Sequence, residues 1–167
     1  MQSGNPKVYL IRTMKEISVQ NSVFIPAVVK LVNEGHTVTI PLKGFSMRPF
    51  LENARDKALL CQVGKLHVGD PVLAKVDHQR YVLHRIVRID GDSLTLLGDG
   101  NLSTEHCRMK DVVASVVGFY RKGRTRLDAV DGRKWKAYSA LWMQLLPVRR
   151  WLLAFYRKIW IPLFGSL

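Results

Sequence analysis

Three short segments carry side chains whose types could together perform acyl transfer. GFSMRPFL holds Ser46, YVLHRIV holds His84, and LLGDGN holds Asp99. A serine hydroxyl becomes a nucleophile when a histidine takes its proton, and a carboxylate orients that histidine. Each segment also has a plainer interpretation, because serine and Gly-Asp-Gly are common in turns and a strand histidine is usually a hydrogen-bonded structural residue. The chemistry therefore depends on whether the fold brings the three side chains together.

His84 lies in a segment that alternates like a β-strand. Successive residues of a strand point to opposite faces, so His84 shares a face with Val82 and Ile86, while Arg85 points the other way. We expect a half-dry environment for this histidine, in which its ring nitrogens need a polar partner. Asp99, in a glycine-flanked turn after the next strand, could be that partner.

The order of the short motifs resembles the type I signal peptidases. Along the chain the motifs are SMRP, VGDPVLAKV, HRIVRIDGD, GDGN and KDVVASVVGFY. They are most similar to the subgroup found in archaea, endospore formers and the endoplasmic reticulum, whose clan also includes LexA-type self-cleaving repressors. The resemblance covers residues 36–120.

The resemblance implies a role for each matching residue. Ser46 would be the nucleophile, and His84, directly before Arg85, would be the general base where typical bacterial enzymes have lysine. Asp99 matches the aspartate of the family's GD-x-N motif, and Glu105 stands where the subgroup often has another aspartate. Either carboxylate would orient His84. The backbone N–H of Ser46 would be an oxyanion donor.

Short alternating segments surround these motifs and predict a mainly β domain. Turn-forming pieces such as DGD and GDGN separate them. The predicted strands are residues 36–42, 57–62, 71–76, 80–89, 93–97 and 111–120. Many short strands at such spacing are typical of a coiled, barrel-like sheet, and the resemblance implies the catalytic domain of signal peptidases and LexA-type repressors.

The chain divides into four predicted parts. An N-terminal segment, residues 1–35, ends in a short helix over PAVVKLVNEG, with Pro26 in its first turn and Gly35 just past its end. The β catalytic domain follows as residues 36–122, then a polar linker as residues 123–134. Amphipathic helices rich in tryptophan and arginine form residues 135–167.

Positive charge concentrates in the C-terminal part. The net charge is +13, and the residues from Arg121 onward hold 11 Lys and Arg against 2 Asp and Glu. Pro147 is expected to separate two helices there. In the second helix, Arg150 and Arg157 lie opposite an apolar face. That predicted face consists of Trp151, Leu152, Phe155, Tyr156 and Ile159.

Tryptophan and arginine on one amphipathic helix favour an anionic membrane surface as the partner of residues 135–167. Packing as a helical hairpin against the core is an alternative. Nucleic acid is the least favoured partner, because it would not need so much aliphatic surface. No secretory signal and no run of about 18 apolar residues is found. We therefore expect a cytoplasmic protein, peripheral to the inner membrane of a prokaryotic cell.

The predicted function is that of a serine endopeptidase that cuts a leader or signal-like peptide at an extended segment. Cys61 and Cys107 stand alone in the sequence, so we expect neither a disulfide nor a zinc site, and no cofactor. One alternative is a non-catalytic peptide-binding or membrane-tethering module on the same fold. Another is a LexA-like regulator, but no helix-turn-helix pattern precedes the predicted sheet.

Overall fold

An antiparallel β-sheet dominates the computed structural model, which describes residues 21–77 and 80–167. The strands are β1 (Val38–Pro41), β2 (Lys57–Cys61), β3 (Pro71–Val76), β4 (Arg80–Asp90), β5 (Ser93–Leu97), β6 (Glu105–Arg108), β7 (Val112–Tyr120) and β8 (Leu127–Ala129). Their order across the sheet is β1-β2-β7-β3-β4-β5-β6, and β8 pairs with β7. The prediction of a mainly β fold is confirmed.

Irregularities in strand pairing curl this sheet into a half-barrel. The register shifts in three strand pairs, at Leu59/Leu60, at Leu73/Ala74 and between Ile86 and Arg88. A β-bulge bends its strand and increases the local twist. The three shifts therefore explain why the sheet coils as the sequence predicts.

The buried apolar residues form two clusters. The first joins the helix α1 (Asn21–Asn33) to β1, β2, β7 and the start of the helix α2 (Arg133–Gln144). Its fully buried members are Val32, Ala58, Leu60, Ala114 and Phe119. The second lies among β3, β4, β5 and β7; its fully buried members are Val72, Ala74, Ile86, Leu94 and Leu96. The alternation of β7 supplies both clusters, because every second residue from Val112 to Val116 is buried.

The helices lie at the two ends of the chain. They are α1 (Asn21–Asn33), α2 (Arg133–Gln144), α3 (Arg149–Phe155) and α4 (Ile161–Phe164). A 3-10 turn, Leu146–Val148, separates α2 from α3 and contains Pro147, as predicted. A π-helical turn, Tyr156–Trp160, joins α3 to α4, so one continuous C-terminal helix runs from residue 149 to residue 164.

The helix predicted over PAVVKLVNEG is present, but its start was wrong. Pro26 lies inside α1 rather than in its first turn, where it removes one backbone hydrogen bond. Gly35 does follow the helix end, with a φ of 86° that suits glycine. Its N–H bonds to the carbonyl of Val32. Residues 1–20 of the predicted N-terminal segment lie outside the described residues.

Two strands and one helix face differ from the prediction. The sequence analysis missed β6 and β8, and β8 lies within the segment predicted as a polar linker. On the C-terminal helix, Trp151 and Phe155 are exposed as an apolar outer face requires. Tyr156, predicted on the same face, is buried against the body. The rest of the protein therefore covers part of the helix surface that the sequence pattern predicted to be a single apolar face.

Candidate active site

Ser46 lies in the loop, residues 42–56, that leaves β1 and returns to β2. Met47 and Leu51 are buried in the first apolar cluster and hold the loop down. The N–H of Leu42 donates to the carbonyl of Asp56, which closes the base of the loop. Ser46 itself is half-buried. Neither its hydroxyl nor its N–H is hydrogen-bonded to any of the described residues, so the serine does not act as a turn-forming side chain.

The GDGN turn packs directly against the Ser46 loop. The N–H of Gly100 donates to the carbonyl of Ser46 at 2.7 Å. A Cβ on Gly98 would lie 2.5 Å from that same carbonyl oxygen and 2.9 Å from His84 Nε2. A Cβ on Gly100 would lie 2.6 Å from the carbonyl oxygen of Phe45. Only glycine fits at these two positions, and the turn brings Ser46 and His84 together on its surface.

Glu105 is the carboxylate that meets His84. Glu105 Oε2 lies 2.8 Å from His84 Nδ1, within ion-pair distance, but the two atoms are not aligned as a hydrogen bond, and neither forms one with any other described residue. Arg80 pairs with the second oxygen, Oε1, of the same carboxylate. A carboxylate this close to Nδ1 favours the tautomer with its proton on that atom, which leaves the lone pair of Nε2 toward the Gly98 turn. A glutamate on the edge strand β6 therefore reaches the imidazole.

The surroundings keep the imidazole neutral. His84 is only 3% exposed. Burial lowers the pKa of His84 below its ordinary value of 6.5, because desolvation disfavours the charged ring. The charge of Glu105 opposes this shift, and the charge of Arg80 adds to it. A neutral histidine near pH 7 is the form that can accept a proton from a serine.

The carboxylate of Asp99 pairs with Arg85, whereas the carboxylate nearest to His84 Nδ1 is that of Glu105. The Asp99 oxygens accept two hydrogen bonds from Arg85, at 2.9 and 2.7 Å, and both side chains are fully buried. The hydroxyl of Tyr138 donates to the same carboxylate at 2.9 Å. The difference follows from strand alternation: His84 and Arg85 point to opposite faces of β4, and Asp99 lies on the Arg85 side.

Arg85 and Asp99 attach the C-terminal helices to the back of the site. Although burial disfavours its charge, contact with Asp99 keeps the pKa of Arg85 above its ordinary value. Arg85 also donates to Ser139 of α2 and to the carbonyl of Gly69. The indole N–H of Trp142 donates to the backbone carbonyl of Asp99. The residues predicted as a separate tail thus support the GDGN turn.

A cavity of about 280 Å³ opens beside Ser46 and His84. Its polar end is formed by Ser46, His84, Glu105, Arg80 and Asn101. Its wall is apolar and comes from β1, the first residue of the Ser46 loop and β4; it includes Ile40, Leu42, Tyr81, Val82 and Leu83. Such a site can hold an extended chain and present it to a hydroxyl.

Two residues at the polar end were missed by the sequence analysis. Arg80 begins β4 and pairs with Glu105, a contact that strand position alone could not reveal. Asn101 Nδ2 would lie 3.0 Å from a Cβ on Gly98, so its amide reaches the same corner of the site. Asn101 is the asparagine of the GDGN motif, and the motif could have pointed to it.

The cysteines offer no competing nucleophile. Burial raises the pKa of Cys61 above its ordinary value. Burial, and then the charges of Asp111 and Glu105, raises the pKa of Cys107 to about 11. Both thiols are therefore protonated near pH 7 and weakly nucleophilic.

No protein-family model matches this chain, and a search of curated proteins finds no match either. None of the helices in residues 21–77 and 80–167 is long and apolar enough to cross a membrane. Over the same residues, no cluster of His, Cys, Asp and Glu side chains could hold a metal ion.

Proposed function

We propose that this chain is a serine endopeptidase of signal-peptidase type, which cuts a peptide bond in a leader or signal-like peptide through an acyl-enzyme. Ser46 is the nucleophile, His84 the general base and acid, and Glu105 the carboxylate that orients His84. The observation that carries the proposal is the shared cavity, in which the Ser46 loop and the buried His84 meet across Gly98. The ordered motifs that resemble type I signal peptidases support the same conclusion.

Proton transfer follows from the Glu105–His84 contact. His84 Nε2 takes the hydroxyl proton while Ser46 Oγ attacks the carbonyl carbon of the substrate, and Glu105 stabilises the resulting imidazolium. The negative charge moves to the carbonyl oxygen, where the unbonded N–H of Ser46 donates to it. His84 then gives its proton to the leaving amine as the C–N bond breaks. Hydrogen bonds between nucleophile and base are often long before substrate binds and tighten in the complex.

A water molecule completes the cycle. His84 takes one proton from the water molecule while the water oxygen attacks the ester carbon of the acyl-enzyme. The tetrahedral intermediate collapses, the bond to Ser46 Oγ breaks, and His84 returns the proton to the serine. The products are an amine and a carboxylic acid, which pass one proton between them in water to become an ammonium and a carboxylate, and the side chains regain their starting protonation.

The strand edges at the cavity suit an extended substrate. β4 pairs with β3 from residue 80 onward, but its pairing with β5 begins only at Arg85 opposite Leu97. Within the described residues, the side of β4 that faces away from β3 therefore has no strand partner at Tyr81, Val82 and Leu83. β1, across the cavity, is the outermost strand of the sheet. An extended peptide can add to such an edge through main-chain hydrogen bonds, with its side chains against the apolar wall.

Cleavage of a peptide library, read by mass spectrometry, tests the proposal. We expect the wild type to cut a subset of extended peptides, and Ser46→Ala and His84→Ala to lose this activity by at least about 10⁴-fold. Ser93→Ala is the matched control, because Ser93 is an exposed serine at the start of β5. Cleavage that persists at the wild-type rate in folded Ser46→Ala would overturn the proposal.

The second candidate is a non-catalytic peptide-binding module. The open edge of β4 and the apolar wall could hold an extended peptide without any bond being cut. This function predicts that a library peptide binds equally to wild type and Ser46→Ala and stays intact in both.

A further inference from the structure

The C-terminal helix, residues 149–164, is fixed to the body by its inner side. Arg149, Leu153 and Tyr156 are buried there. Arg157 donates to the carbonyl of Gly100 at 2.6 Å, and the N–H of Gly100 in turn bonds to the carbonyl of Ser46. The helix is therefore an integral part of the fold and lies next to the turn that supports the candidate nucleophile.

The outer side of the same helix leaves large apolar side chains in water. We call this surface the outer face; it consists of Trp151, Phe155, Ile159 and Leu163 on the helix and of Val148 at the end of the 3-10 turn before it. Trp151 is 74% exposed, Phe155 52% and Leu163 69%. Spacings of three and four residues place these side chains on one side of a helix. A continuous exposed apolar surface of this kind usually marks an interaction site.

The charge around the outer face narrows the choice of partner. No Asp or Glu follows Asp131 in the sequence. Arg150, Arg157 and Lys158 are exposed on the helix that carries the outer face. A second copy of this chain would bring the same positive charges, and the two would repel each other. Nucleic acid would match the charge but leave the apolar side chains uncovered. An anionic bilayer offers both negative headgroups and an apolar interior.

We propose that the outer face docks on an anionic membrane surface. Trp151 and Phe155 enter the boundary between headgroups and acyl chains, and the exposed Arg150 and Lys158 remain among the headgroups. Since Arg157 joins this helix to Gly100, the turn that supports the Ser46 loop lies directly behind the docked helix. The inference does not depend on peptidase activity.

Binding to lipid vesicles tests the docking surface directly. Full-length protein is sedimented with vesicles of phosphatidylcholine alone or with added phosphatidylglycerol. We expect binding only to the second kind, and a loss of at least about tenfold in Trp151→Glu and in Phe155→Glu. Val68→Glu is the control, because Val68 is as exposed as Phe155, at 52%, and the variant gains the same charge away from the helix. Equal binding by Trp151→Glu and Val68→Glu would overturn the proposal.

The basic residues are tested separately at low and high salt. Arg150→Gln and Lys158→Gln should each weaken binding to the anionic vesicles about fivefold at low salt. Arg88→Gln is the control for charge, because Arg88 is 72% exposed on β4 and forms an ion pair with Asp90. Failure of the wild-type protein to bind either kind of vesicle would refute the proposal. A dimer in light scattering, or a DNA gel shift, that is lost in Trp151→Glu would then assign the outer face to that partner.

Discussion

Gly98 separates the Ser46 loop from His84, and Gly98→Ala tests whether that close approach is required. A Cβ at this position would stand 2.5 Å from the carbonyl oxygen of Ser46 and 2.9 Å from His84 Nε2. The φ of Gly98 is not in the left-handed region, so alanine meets no backbone strain there. The substitution therefore acts only through these contacts.

The size of the effect follows from the distance. An ordinary Cβ contact begins at about 3.4 Å, so the Ser46 carbonyl must retreat by roughly 1 Å. Overpacking of this kind costs about 1–3 kcal/mol of unfolding free energy. A displacement of about 1 Å between reacting groups lowers the rate by roughly 10²-fold. We expect both losses in Gly98→Ala.

The assay pairs Gly98→Ala with Gly64→Ala. A Cβ on Gly64 meets nothing within 4 Å, and its φ is not left-handed either. Both variants gain about 0.4–1 kcal/mol from a less flexible unfolded chain, so the difference between them isolates the contact. Urea unfolding gives the free energies, and the rate at which a fluorophosphonate probe labels Ser46 gives the reactivity. A Gly98→Ala protein as stable and as reactive as Gly64→Ala would refute the packing described for the site.

Three further predictions concern the groups around His84 and behind it. Glu105→Gln removes a negative charge that raises the pKa of His84, so this pKa should fall. Arg80→Gln removes a positive charge that lowers the same pKa, so it should rise. NMR titration of the imidazole measures both changes. The lowered pKa of His84 means that the folded protein binds fewer protons than the unfolded chain just below pH 6.5. The His84 contribution to stability is therefore complete above pH 6.5 and declines as pH falls toward the folded pKa; urea unfolding of the wild type should show this slope, and His84→Ala should lack it. Asp99→Asn leaves Arg85 charged and fully buried, so it should lower the free energy of unfolding by about 3–5 kcal/mol, as measured by urea unfolding. A decrease below about 1 kcal/mol would mean that the Arg85–Asp99 pair does not hold the helices to the sheet.

The sequence predicted the parts of the fold that follow from local pattern. The apolar run PVLAKV and the alternating DVVASVVGFY place β3 and β7 correctly: β3 is buried at all but one position, and β7 buries every second residue over most of its length. β6 and β8 left no such signal. EHCR alternates between half-buried and exposed side chains at the sheet edge, and LDA has only half-buried ones. Short edge strands form through pairing with a neighbour rather than through their own hydrophobic pattern.

The candidate site shows a similar division. The burial of His84 together with Val82 and Ile86 was predicted from alternation and is confirmed, but Arg85 on the opposite face is fully buried as well. The partner of His84 was not predictable from spacing, because Asp99 and Glu105 both follow β5 closely and only the path of the turn separates them. Glycine at position 98 faces the imidazole, whereas the next residue faces Arg85.

In the C-terminal helices, sequence periodicity alone could not predict which apolar side chains are buried. Trp135 and Trp142 are buried against the sheet, whereas Trp151 is exposed. A helical apolar stripe has the same spacing whether it packs on a protein core or on another surface. Only the contacts of the folded chain, such as the one from Trp142 to Asp99, separate the two cases.

The central claim is that His84 activates Ser46, and covalent labelling measures this most directly. Wild type, Ser46→Ala and His84→Ala are incubated with a fluorophosphonate probe or a β-lactam-type serine probe, and the intact masses are recorded. We predict one adduct per wild-type chain, mapped to Ser46, and none in either variant. An adduct that persists in folded Ser46→Ala, or labelling of Ser46 at the wild-type rate in folded His84→Ala, would contradict the claim.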